Sequence, residues 1–300
     1  LLNYRCLIHT RDSNLQTALH MASRYGRHQL VELLLSHHSN PHQRDIYGNT
    51  ALHLAIQHQH RHTAVELIRH MEDVNIRNNL GHTPLHTLCY LPLNSPVAEE
   101  LLDLLCEKGA DVNAKDVTKT SPICTLCKQN NLLFAKHLLT KGADIHSRSA
   151  LGMSIVHDVL MLPNTYLCDL QVFHDNIQIQ HPQISILKWL LEDEKLDINS
   201  QDLFGLTPLH LCCREGRTQA ARLCVQLGAD VHILDKNLIP PLAYAAAHPD
   251  TFKALLKELR IVSSSFGPFL PVSSQNDLRH ILCFAHVHGT LAEITGSLSE

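Results

Sequence analysis

Histidine and cysteine are the side chains whose number and spacing in this chain could support chemistry. The sequence holds 24 histidines and 10 cysteines among 300 residues. His58, His60 and His62 are two residues apart, and Cys124 and Cys127 form a Cys-x-x-Cys pair. A structural zinc site needs four such ligands to converge. Because no Asp, Glu or Cys lies among the three histidines, we favour a polar turn over a metal or pH-responsive site.

Five other histidines have a fixed place in a motif or its variants. Thr-Ala/Pro-Leu-His occurs four times, at Thr17–His20, Thr50–His53, Thr83–His86 and Thr207–His210, and its first three copies begin 33 residues apart. Degenerate copies of the motif stand at Ser121–Cys124, Ser154–His157 and Pro240–Ala243. Self-similarity at this period is typical of a solenoid, in which each unit packs only on its neighbours.

Each unit predicts two short helices. The Leu of the motif and the Ala after it give the first helix one apolar stripe, and a bulkier second helix is predicted at Leu30–Leu35, Leu101–Leu105 and Ile186–Leu191. Thr at the head of the motif can cap the first helix, and Pro after it suits the first turn. Gly109, Gly142 and Gly228 are predicted to end second helices, because glycine readily adopts the left-handed conformation.

The unit from Asp45 to Arg77 resembles the ankyrin repeat in its Asp-Ile-Tyr-Gly-Asn-Thr-Ala-Leu-His-Leu-Ala start and its Asp-Val-Asn-Ile-Arg end. The resemblance extends over Leu1 to Leu259 and is weak from Asp277 to Glu300. It implies an all-α ankyrin-repeat solenoid of about seven to eight helix–turn–helix units with hairpin fingers. It also implies that the motif histidine is structural and forms hydrogen bonds between neighbouring loops.

The predicted domain is an array over residues 1–260. It opens with a partial repeat at 1–11, and its units start near residues 12, 45, 78, 116, 149, 202 and 235. A Ser/Pro-rich loop is predicted at 261–276, and a degenerate capping repeat at 277–300. We expect the array to be continuous.

Two inserts, at 91–96 and 163–182, fall between the two helices of their units. Inserts at the same point of a unit project from the same face. The longer insert is apolar, because it contains Tyr166, Leu167, Leu170, Val172, Phe173, Ile177 and Ile179. It either folds back on the array or forms a binding knob, and the sequence favours neither alternative.

Composition and motifs bear on several function classes. A net charge of −4 gives no support for binding to nucleic acid or to an anionic membrane. No apolar run is long enough to cross a membrane, so no direct membrane insertion is expected. No phosphate loop or catalytic signature is present, so we expect neither an enzyme nor a cofactor. The cysteines follow the repeat rather than the loops, which favours free thiols in the cytoplasm or nucleus and no metal.

These features predict a non-enzymatic scaffold that binds a protein partner through its hairpin fingers and concave helix face. We expect a monomeric array within a longer chain. One alternative is the substrate-recognition subunit of a ubiquitin ligase, since Leu278–Cys283 loosely resembles the start of a SOCS box. Another is the cytoplasmic array of a larger protein such as a channel.

Basic residues precede the turns of five successive units, and they form the predicted partner-binding column of Arg11, Arg44, Arg77, Lys115 and Arg148. Gln201 and Leu234 take this position in the last two units. With repeats about 10 Å apart, the charges would extend along one edge for roughly 40 Å. We expect an acidic, extended partner segment there, with Arg24, Tyr90 and Lys128 completing the groove. In the alternative, Asp12, Asp45 and Asp116 neutralise a solvated edge.

Three asparagines match the resemblance in a further respect. The asparaginyl hydroxylase that modifies ankyrin repeats acts on a pattern of Leu, five residues, an acid, an aliphatic residue and Asn. This pattern makes Asn75, Asn113 and Asn199 candidate hydroxylation sites. The alternative is that they are ordinary residues of the hairpin.

Overall fold

The computed structural model describes residues 8–91, 96–161 and 182–266. Fourteen α-helices and no β-strand are present in these three ranges. They form seven successive pairs, each with a short first helix and a second helix, so the predicted all-α solenoid of helix–turn–helix units is confirmed. The chain divides into two compact units, residues 1–150 and 151–300. One continuous array over 1–260 stays a prediction.

The first unit holds four helix pairs. The first helices are α1 (Ala18–Arg24), α3 (Ala51–Gln57), α5 (Pro84–Cys89) and α7 (Pro122–Lys128), and each packs on the next. The second helices are α2 (His28–Ser36), α4 (Arg61–His70), α6 (Pro96–Glu107) and α8 (Leu132–Thr140). Between the two layers, Leu52, Ile56 and Leu67 are fully buried. Removing one such side chain from water contributes about 1.5–3 kcal/mol to folding.

The second unit holds three pairs. The first helices are α9 (Ile155–Leu160), α11 (Pro208–Arg214) and α13 (Pro241–Ala245), and the second helices are α10 (Pro182–Lys188), α12 (Thr218–Gln226) and α14 (Pro249–Phe266). A π-helix, Trp189–Asp193, continues α10. The second helix expected at Ile186–Leu191 is therefore present, but it ends in a single π-helical turn, in which each hydrogen bond spans five residues instead of four. Helix α12 packs on α14, and α11 packs on α13.

The predicted helix signals act as expected. The Thr83 hydroxyl accepts a hydrogen bond from the His86 N–H at 3.4 Å, and Pro84 occupies the first turn. At the other end of a pair, Gly109 has φ +83°, and Ala110 N–H donates to Leu105 O at 2.9 Å. This left-handed residue ends α6 as glycine commonly does.

The last helix differs from the prediction. Helix α14 extends to Phe266 and takes in residues 261–266, which were predicted to belong to a loop. The prediction is wrong there because serine lowers helix propensity only modestly, whereas the strong helix breakers, Gly267 and Pro268, come later. The rest of that loop, the capping repeat at 277–300 with Leu278–Cys283, and insert residues 92–95 and 162–181 lie outside the described residues.

Candidate functional site

A tight turn precedes each first helix, and we call it the finger; in the first unit the fingers are residues 12–16, 45–49, 78–82 and 116–120. In the second finger, Asp45 N–H donates to Asn49 O and Gly48 N–H donates to Asp45 O, both at 2.9 Å. Asp45 Oδ1 accepts from the N–H groups of Tyr47 and Asn49 at 2.9 and 2.8 Å. The buried carboxylate therefore holds the turn closed, as Asp does in an Asx-turn.

Backbone hydrogen bonds join successive fingers. Asn79 N–H donates to Tyr47 O at 3.0 Å, and Val117 N–H donates to Leu80 O at 3.1 Å. The same bond links Ile46 to Asn14 at 2.9 Å. Because the bond recurs at one position of the unit, equivalent residues of the first unit's fingers lie in register along one edge.

The motif histidines have the structural role that the resemblance implied. His53 Nδ1 accepts from Thr50 N–H at 3.2 Å, and His53 Nε2–H donates to His82 O in the next finger at 3.1 Å. The ring is therefore neutral, with its proton on Nε2. Burial lowers the pKa of His53 to about 4 and that of His86 to about 4. Equivalent inter-finger bonds are formed by His20, His86, His157 and His210.

A second set of histidines also joins neighbouring repeats, a role that the sequence analysis did not predict. His60 Nε2–H donates to Arg24 O at 2.9 Å. In the second unit, His248 makes the same bond to Arg214 O at 3.0 Å. The central member of the His58, His60 and His62 cluster thus stabilises the contact between two repeats. The described ranges contain no group of three or more His, Cys, Asp or Glu side chains that could hold a metal ion.

The cysteines of the motif column are packing residues. Cys89, Cys127 and Cys213 are buried free thiols on first helices. Burial raises the pKa of the Cys89 thiol well above its usual range. A buried thiol of this kind takes the place of a small apolar side chain.

The asparagines of the hydroxylation pattern join consecutive repeats. Asn113 Nδ2 donates to Gly142 O at 3.0 Å, and Asn113 Oδ1 accepts from Asp144 N–H at 2.7 Å. Asn75 makes the same two bonds to Gly109 O and Asp111 N–H. In the second unit, Asn199 Oδ1 accepts from Asp230 N–H at 2.8 Å. Each amide therefore stabilises the stacking of units.

The side chains of the basic column are exposed along the finger edge, but two of them also hold fingers together. Arg44 donates to Gly48 O at 3.2 Å and to Asn79 Oδ1 at 3.1 Å. Arg77 donates to Lys115 O. In the second unit a neutral residue does the same, since Gln201 Nε2 donates to Gly205 O at 2.8 Å and Leu234 O at 3.0 Å. The sequence analysis did not anticipate this bridging.

In the part of the chain that the structure describes, Asp12, Asp45 and Asp116 form no ion pair with Arg11, Arg44 and Lys115, the basic residues that precede them. Asp12 and Asp45 turn their carboxylates onto the N–H groups of their own fingers. Asp116 does the same with Thr118 and Thr120, and its second oxygen lies 3.6 Å from His82 Nε2. Asp45 is buried and Asp116 is half-buried, whereas Asp12 is exposed like the basic side chains of the column.

Two adjoining grooves lie between the fingers and the first helices of the first unit. The larger holds about 700 Å³ and is lined by Arg24 and Tyr90 among others. The smaller holds about 290 Å³ and is lined by Tyr90 and Lys128. Both share Leu80, His82 and Tyr90. The structure thus brings Arg24, Tyr90 and Lys128 to the grooves, whereas the basic column lines neither and stays on the outer edge.

Large apolar side chains at the finger tips were missed by the sequence analysis. The residue before the turn glycine is Tyr47, Leu80, Leu151 or Phe204, and these side chains are 68, 58, 52 and 55% exposed. Val117, near the tip of the fourth finger, is 66% exposed. Aligning the fingers by their glycines would have revealed this column. Apolar residues clustered on a surface are typical of binding sites.

Within the ranges that the structure describes, no helix is long and apolar enough to span a bilayer.

Known proteins share this repeat pattern. The sequence model described as "Ankyrin repeats (3 copies)" matches residues 1–78 and 176–264, and the model "Ankyrin repeat" matches residues 80–117. The ankyrin repeat protein FPV230 of Fowlpox virus (strain NVSL) is 29% identical over 164 residues, covering 49% of this chain and 86% of the viral protein.

Parts of longer proteins are also similar. Transient receptor potential cation channel subfamily A member 1 of Homo sapiens is 26% identical over 162 residues, which cover 53% of this chain and 13% of the channel. Potassium channel AKT1 of Arabidopsis thaliana is 29% identical over 136 residues, which cover 45% of this chain and 13% of that protein. The chain therefore spans most of the viral protein but a small part of either channel. Since the three-copy model matches more than half of its residues, the chain belongs to the ankyrin-repeat family.

Proposed function

We propose that this chain is a non-enzymatic protein-interaction scaffold that binds an acidic, extended protein segment through the fingers and grooves of its first unit. One observation carries the proposal: hydrogen bonds hold the fingers in register, with basic side chains on the edge and large apolar side chains at the tips. The buried thiols are consistent with a reducing compartment, the cytoplasm or nucleus.

The charge of the edge would act mainly on the rate and specificity of association. Exposed cations steer an acidic segment towards the surface, and they contribute less to the affinity of the docked complex than buried contacts do. Arg44, Arg77 and Lys115 form the middle of the column, so a partner that follows the fingers would meet all three.

The test uses glutamine, because Gln201 makes the inter-finger bonds of this position without a charge. Peptides are selected on the wild-type chain from a phage-displayed random library, and their binding is measured by biolayer interferometry at low and high salt. The triple variant Arg44→Gln, Arg77→Gln, Lys115→Gln should slow association at least about tenfold at low salt and weaken its salt dependence. Its melting temperature should change little.

The matched control removes three exposed cations elsewhere, by Arg27→Gln, Arg69→Gln and Lys253→Gln. This variant has the same net charge as the test variant and should bind the selected peptides almost as the wild type does. Equal binding by wild type and both variants would contradict the role of the column. If binding is instead lost on mutating residues 163–182, the insert is the binding element.

The matches to two channels favour a second candidate, in which the chain is the ankyrin array of a larger membrane protein. Sequencing the full-length transcript tests this candidate. Adjoining segments able to span a membrane would support it, and a complete reading frame without them would exclude it.

A further inference from the structure

The two grooves of the first unit share three lining residues, Leu80, His82 and Tyr90. The His82 ring lies 5.3 Å from the Tyr90 ring and 5.6 Å from the His86 ring, measured between centroids, and it is nearly parallel to His86. His86 is itself held by Thr83 and by Thr120 O. The Tyr90 side chain is 51% exposed. A pre-formed aromatic surface therefore lies at the junction of the grooves.

Polar groups suited to an extended backbone line the larger groove. Gln57 is exposed on α3, and its amide makes no hydrogen bond to another described residue. A free amide beside an apolar floor can donate to and accept from a peptide group. Extended segments are recognised by this combination of main-chain hydrogen bonds and side-chain pockets.

The joined groove is lined by a cation near each end. Arg24 is exposed in the larger groove, and Lys128 lines the smaller one. The two acidic residues of the lining, Asp45 and Asp116, hold their own fingers closed with one carboxylate oxygen each. The two cations favour acidic side chains at the ends of an occupant over basic ones.

Distance sets the length of the occupant. Arg24 and Lys128 end the first helices α1 and α7, which lie three units apart. Three repeat spacings of about 10 Å make roughly 30 Å. An extended chain that rises about 3.3 Å per residue covers this span with about nine residues.

We propose that the joined groove binds an extended segment of about nine residues, with acidic side chains at both ends and a large aromatic side chain in the middle. The end carboxylates reach Arg24 and Lys128, and the aromatic ring packs against Tyr90 and Leu80. The proposal rests on the proposed function, because it specifies the segment that the first unit receives.

The probe is a fluorescein-labelled synthetic peptide of about nine residues, with Glu-Asp at each end, Phe at the centre, and Ser, Thr and Val between. Its dissociation constant for the whole chain is measured by fluorescence polarisation. Three altered peptides carry Ala for the central Phe, Lys-Arg at both ends, or fewer residues between the charged ends. Each should bind at least about tenfold more weakly, as expected for loss of a central anchor or of charge complementarity.

Protein variants locate the binding. Tyr90→Ala and, independently, Leu80→Ser should each weaken the parent peptide about tenfold. Arg24→Glu should weaken it, and a peptide with Lys-Arg at one end should recover binding to this variant. Arg27→Glu makes the same charge change on an exposed residue outside the grooves and should have no effect.

Two outcomes would overturn the inference: tight binding of the doubly Lys-Arg-ended peptide, or full binding of the parent peptide by both Tyr90→Ala and Leu80→Ser. The same variants are measured with the phage-selected peptides. If those peptides lose affinity for the basic-column variant and keep it for the groove variants, the groove inference is wrong, whereas binding of an acidic segment through the fingers stands. If they bind both sets of variants like the wild type, both fail.

Discussion

Mild acid should destabilise this protein through its buried motif histidines. His53 and His86 have a pKa of about 4 in the folded chain, because burial disfavours the charged ring. In the unfolded chain the value is about 6.5. Between these values the unfolded state binds more protons than the folded state, so stability is present above pH 6.5 and is lost as the pH falls towards 4.

The size of this loss follows from the two pKa values. At pH 5, an unfolded histidine is almost fully protonated and a folded one is almost fully neutral. Each of the two residues then lowers the free energy of unfolding by about 2 kcal/mol relative to pH 7, and together by about 4 kcal/mol. Burial also lowers the pKa of His20 and His210, so they act in the same direction. A loss of this size is a large fraction of a typical folding free energy.

The assay is urea unfolding followed by circular dichroism at pH 7 and pH 5. The double variant His53→Gln, His86→Gln removes both titrating rings while leaving a donor and an acceptor at each position. It should be less stable than the wild type at pH 7, and its loss between pH 7 and pH 5 should be smaller by about 4 kcal/mol. The control His37→Gln, His62→Gln changes two exposed histidines and should keep the wild-type loss.

If the wild type and the double variant lose the same stability between pH 7 and pH 5, the motif rings do not stay neutral in the folded state. The inter-finger histidine bonds would then not explain why a histidine stands at this position.

Four further predictions concern single elements. Gly26→Ala should lower the free energy of unfolding by about 2 kcal/mol, because Gly26 has φ +64° and a Cβ there would lie 2.4 Å from His60 Nδ1. Gly109→Ala should lower it by about half as much, because a Cβ at Gly109 would meet open space. Thermal melts measure both variants. Asn113→Ala should lower the free energy of unfolding by about 1–2 kcal/mol, measured by chemical denaturation. If Asn75, Asn113 or Asn199 is hydroxylated, mass spectrometry of cell-derived protein will show one added oxygen on its peptide. Absence of that added oxygen dismisses the modification. Deleting residues 164–181 should leave helical content and unfolding cooperativity nearly unchanged, and loss of the folded state would place the insert in the core.

The fold could be predicted from the sequence because each unit repeats the same local signals. The Thr that caps a helix, the Pro after it and the Gly that ends the previous helix act within a few residues of themselves. Their positions therefore follow from the sequence alone. The helical state of residues 261–266 was missed because a run of serines marks a loop only in composition, and its residues still have moderate helix propensity.

The candidate site was predicted less completely, because its properties depend on contacts between units. The sequence predicted that Arg24, Tyr90 and Lys128 complete a groove, and these residues line the two grooves of the structure; that they bind a partner stays a prediction. It could not reveal that Asp45 faces inward, because that depends on the closed turn. Nor could it separate Arg44 on the outer edge from the groove residues, since both sets recur with the same period.

Gln201 helps to separate folding from binding in the basic column. At this position the neutral amide of Gln201 donates to its own finger and to Leu234 O in the next repeat. The guanidinium of Arg44 makes the same kind of bond and adds an exposed charge. An exposed charge contributes little to stability. Since the fold accepts a neutral donor, folding alone does not require cations along the fingers of the first unit, and recognition of an acidic partner supplies a reason for them.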